Sequence, residues 1–173
     1  GDVVVTAGNS FHGKPGGISL TSGAFGENGG RGGSLQIGGG HGNVGGRVEL
    51  FGGRSDIKGG SLILSSGKSS IESGFIRISS EDASEASGST QLHTGNSDSG
   101  KSGDLLLATG NSKLAAGNVI VYGGDSEEGD GGSIQMEAGD SHLSSTNAGE
   151  INFFAGDGDE GGSLSLSSGA GRS

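Results

Sequence analysis

The sequence predicts an all-β fold, a β-solenoid resembling a parallel β-helix, with twelve repeats of about 14–15 residues and one repeat per coil. Three observations predict it. A frame of glycine, any residue, apolar, any residue, apolar, any residue, small, glycine recurs along the whole chain. Its apolar positions alternate with period two, the period of a strand, whose alternate side chains share a face. Finally, 42 of 173 residues are glycine, yet they fall at fixed places in the frame among Val, Ile and Leu, which argues for an ordered array over a disordered linker.

Each repeat is justified by the same four positions. The first apolar position is Val3, Ile18, Leu35, Val48, Leu62, Ile76, Thr90, Leu105, Val119, Ile134, Ile151 and Leu164, at spacings of 15, 17, 13, 14, 14, 14, 15, 14, 15, 17 and 13. A glycine stands two residues before each of these, from Gly1 to Gly162. The second apolar position follows two residues later: Val5, Leu20, Ile37, Leu50, Leu64, Ile78, Leu92, Leu107, Val121, Met136, Phe153 and Leu166. Four residues after the first comes a small residue, one of Ala7, Ser22, Gly39, Gly52, Ser66, Ser80, Thr94, Thr109, Gly123, Ala138, Ala155 and Ser168. Glycine comes next in every copy but one, where Glu81 stands. The frame survives every change of connector length, which a chance repeat would not.

Each copy is therefore expected to be one strand of about five residues, with both apolar positions buried and the residue between them facing out. The flanking glycines are expected to supply positive φ or close backbone approach at corners. Six connectors carry a lone apolar residue, Phe11, Val44, Ile57, Ile71, Leu114 and Leu143, expected to close the core from a second side. Two rival arrangements fit the same frame. Two repeats per coil would form a thin sandwich, and an up-and-down antiparallel sheet would use the connectors as hairpins. The whole of 1–173 reads as a single array, a segment of a longer solenoid or a unit that stacks on other copies, since neither end carries a capping segment.

Composition narrows the function. Cysteine and tryptophan are absent, and no apolar run is long enough for a membrane helix. The net charge of −10 is uneven: residues 1–86 carry eight acidic and seven basic side chains, residues 87–173 twelve and three. With no basic patch and no amphipathic basic helix, nucleic acid and membrane are not expected partners. His12, His41, His93 and His142 occupy different positions of the frame and form no metal-binding row. Serines are plentiful, but none is set apart from its copies by a neighbouring base, so no catalytic residue is assigned and an enzyme is not expected.

The residue after the corner glycine reads Asp82, Asn96, Asn111, Asp125, Asp140 and Asp157 in six successive repeats. One reading is an Asx corner, with the side chain bonding nearby backbone. The other is calcium binding by Asp125, Asp140 and Asp157, because a stacked column of carboxylates repels itself unless bridged by a cation. Outward positions hold Phe51, Ile63, Leu106, Ile120, Tyr122 and Phe154, a candidate lateral interface if they gather on one side. Val3 and Val5 at one end and Leu164 and Leu166 at the other are the candidate end-to-end interface, through exposed strand edges.

Gly-Asp-Gly-Asp-Glu-Gly-Gly-Ser-Leu at 156–164, and loosely 124–134, resembles the nonapeptide calcium repeats of RTX β-rolls, a likeness confined to those stretches. The chain as a whole resembles the Gly/Ser-rich repeats of secreted or cell-surface proteins of microalgae and other microbes. That resemblance implies an extracellular or cell-surface structural role. The expected function is thus a component of a fibre, appendage or wall that associates with itself. The alternatives are a calcium-stabilised stalk or adhesin, and a flat face binding ice or polysaccharide.

Overall fold

The computed structural model describes residues 1–26 and 29–171. They fall into two units, Gly1–Thr90 and Gln91–Ser173. Among the described residues there is no strand and no helix, so the chain is not all-β and contains no sheet. The single-chain solenoid, the thin sandwich and the antiparallel sheet are all overturned by this absence of ladder pairing.

What remains is an alternation of extended segments and closed loops. Side chains two residues apart meet on one side of the backbone, as they do along an extended chain. The Arg47 guanidinium lies 3.3 Å from the Glu49 carboxylate across Val48. The Gln135 amide donates to Glu137 at 3.1 Å across Met136, and that of Asn152 to Glu150 at 3.4 Å across Ile151. Local geometry thus follows the period-two pattern without any segment pairing to another.

The loops explain why pairing fails. In eight connectors the N–H of the glycine that opens the next repeat donates to the carbonyl of the glycine that ended the last. Examples are Gly16 to Gly8 at 3.0 Å, Gly46 to Gly40 at 2.8 Å and Gly149 to Gly139 at 2.9 Å. The connector is pinched at a neck. Among the described residues no second backbone bond follows the first, so the neck does not extend into a ladder between the extended segments. Loops of different length close in the same way, which absorbs the 13- to 17-residue variation in repeat length.

No described residue is buried. The expected burial of both apolar positions is therefore overturned, Leu62 and Leu64 included. The connector residues Phe11, Val44, Ile57, Ile71, Leu114 and Leu143 do not form a second side of a core; they stand out on the loops, and Leu114 is 99 % exposed. The expectation of positive φ at the corner glycines fails as well. Among the described residues only Gly29 and Ser145 have positive φ. The corner glycines serve close backbone approach instead.

Candidate functional site: loop necks and an apolar face

The neck is built from the small position of one repeat and the opening glycine of the next. Where the small position is glycine, the two backbones press together. A Cβ added at Gly39, Gly52 or Gly123 would run into the carbonyl oxygen of Gly46, Gly60 or Gly132. These three necks are all closed at 2.8 Å.

Alanine or serine at that position still permits closure. A Cβ added at the opposing Gly16, Gly33 or Gly149 would lie 3.2, 3.2 and 3.3 Å from the Cβ of Ala7, Ser22 and Ala138. The corresponding bonds measure 3.0, 2.8 and 2.9 Å. Ser22 adds a second tie, its hydroxyl donating to the Gly33 carbonyl at 2.8 Å. At Ser66 the bond from Gly74 to Gly67 lengthens to 3.1 Å.

Threonine opens the neck. The opening Gly103 and Gly117 stand off from Thr94 and Thr109, with an added Cβ 4.0 and 3.7 Å from the threonine methyl groups, and neither glycine N–H bonds back. The neck between Ser80 and Gly88 is also open, and there Glu81 replaces the glycine whose carbonyl closes the others. Side-chain volume at one position and the residue after it thus decide closure. The sequence marks this position as small, but the reason it must be small lies in the next repeat's backbone.

Serine shapes the loops themselves. The Ser55 hydroxyl accepts from the Ile57 N–H at 3.2 Å, Ser69 from Ile71 at 3.2 Å, Ser97 from Gly100 at 3.1 Å, Ser112 from Leu114 at 3.2 Å and Ser126 from Gly129 at 2.9 Å. These are serine turns, in which the hydroxyl replaces a backbone carbonyl at a sharp bend. The Asx-corner reading is corrected at Asn96, Asn111 and Asp125, where the hydroxyl of the following serine makes the local bond and the Asn or Asp makes none. In the loop around Ser145, the Thr146 hydroxyl donates to the Leu143 carbonyl at 2.8 Å and also meets the Ser141 hydroxyl.

Beyond the first repeat, the first apolar positions are less exposed than the outward apolar residues. From Ile18 to Leu164 the aliphatic residues at the first position are between 46 and 59 % exposed, whereas Val4, Phe51, Ile63, Leu106, Ile120, Tyr122 and Phe154 on the opposite side are between 74 and 87 % exposed. Val3 and Val5 at one end, and Leu164 and Leu166 at the other, are all exposed in their own units. Within Gly1–Thr90 a shallow groove of about 910 Å³ is lined by Ile37, Val48, Arg77, Ile78, Ser79 and Glu81. Its lining mixes aliphatic and charged side chains and includes no nucleophile paired with a base.

Asp125, Asp140 and Asp157 each begin a different loop, and among the described residues no three metal-ligating side chains gather within reach of one ion. No helix of the described residues is long and apolar enough to cross a membrane. The chain matches no family model, no curated protein and no solved structure.

Proposed function

We propose that this chain is a structural element of an extracellular or cell-surface fibre, appendage or wall, working as a segment of an assembly. One observation carries this reading: in each unit the regularly spaced apolar residues are left, among the described residues, without a core of their own. Ordering a backbone costs about 1–2 kcal/mol per residue, and a chain that buries nothing offsets little of it, so the ordered form needs an external surface to cover the face.

Regularity favours construction over chemistry. Catalysis needs one place unlike the rest, where a few groups converge. Here the necks, the serine turns and the apolar positions repeat, and the repetition supplies length and a uniform surface. The mode of assembly is not the stacking of ready-made strands at the two ends, since the described residues form no strand. The exposed apolar face takes that part.

Electron microscopy of concentrated protein tests the proposal. Elongated particles or bundles are the expected result, and a field of small separate particles at every concentration overturns it.

A further inference from the structure

The chain exposes 18337 Å² of surface. A folded monomer of 16.7 kDa exposes about 7,600 Å², and a fully unfolded one about 24,000 Å². The excess over a folded monomer is roughly 10,000 Å², several times the 1,200–2,000 Å² buried in total by a standard interface. Covering it takes contacts on more than one side.

The occupant must satisfy two requirements. It must bury aliphatic side chains, among them Val48, Leu62 and Ile134, that recur every 13–17 residues. It must also pair backbone, because outside the necks the extended segments, among the described residues, make no backbone–backbone hydrogen bond, and an N–H or C=O removed from water without a partner is costly. An extended polypeptide offers donors and acceptors in the alternation such segments present. A second copy of this chain adds the matching apolar pattern, with connector-length differences taken up in loops that close at their necks.

We infer that the face bearing the first and second apolar positions is covered by further copies of this chain, each copy touching more than one other, with backbone bonds made between chains. This rests on the structural reading above and names its partner. Charge selects where contact begins. The near-neutral Gly1–Thr90 unit approaches its like with little repulsion, whereas the acidic residues of Gln91–Ser173 repel theirs until salt screens them.

Sedimentation velocity across a dilution series tests this with the wild type and three variants: Leu62→Asp with Leu64→Asp on the face, Ile63→Asp on the opposite side, and Ile71→Asp on a loop. The described residues have no interior to disrupt, so none of these variants fails by losing a core. The wild type is expected to sediment as an oligomer that added salt strengthens. The double variant is expected to raise the dissociation constant by about a hundredfold or more, since it places charges at the centre of the contact, while Ile71→Asp changes little.

A monomeric wild type at all concentrations overturns the inference and points to a carbohydrate or another protein as the cover. An oligomer that survives the double variant but dissociates with Ile63→Asp or Ile71→Asp overturns it too, leaving the structural role standing on a different face. Compact closed particles sensitive to the double variant support the inference while removing the fibre reading.

Discussion

The necks at the two ends of the repeat series differ from those in its middle. In Gly1–Thr90 the first five necks close and the sixth, between Ser80 and Gly88, is open; in Gln91–Ser173 the first two, at Thr94 and Thr109, are open and the remaining three close. Thr90 breaks the apolar pattern between two open necks, but Leu105 and Val119, which also follow open necks, are as shielded as Ile18 and Leu62. An intact apolar pattern thus does not by itself close a neck. Closure is set by backbone approach at the small position, where a methyl group more or less decides whether one hydrogen bond forms. The same pattern can therefore present tied and untied loops within one chain.

The sharpest way to break this difference is to place a Cβ in the tightest neck. Gly39→Thr puts a β-branched side chain against the Gly46 carbonyl, and threonine is the residue that stands at the open Thr94 and Thr109 necks, whereas alanine stands at closed ones. Amide exchange at Gly46 should accelerate by about tenfold or more, the order of one net hydrogen bond, and unchanged exchange there would show that the neck is not what orders the loop.

The converse change should convert an open neck into a closed one. Thr109→Gly is expected to slow exchange at Gly117 by about tenfold or less, because the gain is a single bond offset by glycine's extra backbone freedom. Glu81→Gly should act in the same direction at Gly88. If neither amide gains protection, volume at the small position and the residue after it are not the controlling terms.

A smaller effect is expected one level further out. Ser126→Ala removes the hydroxyl that accepts from the Gly129 N–H, and should loosen that bend by about 0.5–1.5 kcal/mol while leaving the neck at Gly132 closed. Nuclear magnetic resonance reading of both amides separates the two, and loss of protection at Gly132 along with Gly129 would mean that bend and neck form one unit.

Least is expected of calcium. We propose weak, millimolar binding at Asp125, Asp140 and Asp157, since each begins a separate loop and exposed extracellular sites bind in that range. Calorimetry on the wild type and on a variant with all three changed to Asn is the check; equal heats would remove calcium from the account.

Much of the local structure was legible in the sequence, and little of the tertiary structure was. The two-residue alternation around Val48, Met136 and Ile151 follows directly from the order of apolar and polar residues, because the pleat of an extended backbone is a local property. The positions of the loops were equally readable from glycine and serine. The neck was only half legible: the run from Ala7 to Ser168 shows that a small residue is required, but not that the next repeat's opening glycine is what it faces. The serine turns were missed in favour of Asx corners because Asn-Ser and Asp-Ser place two competent side chains side by side, and only geometry shows which one reaches the N–H.

Sequence alone therefore determined the frame, the period and the face on which the apolar residues gather, all of them consequences of neighbours a few positions apart. Tertiary structure alone decided that the segments do not pair within one chain and that no core forms. Strand pairing depends on where the chain heads after a loop, and in eight connectors that direction follows a neck made by one hydrogen bond between two glycines. A repeat pattern records which side chains want to be covered. It does not record whether the cover belongs to the same molecule.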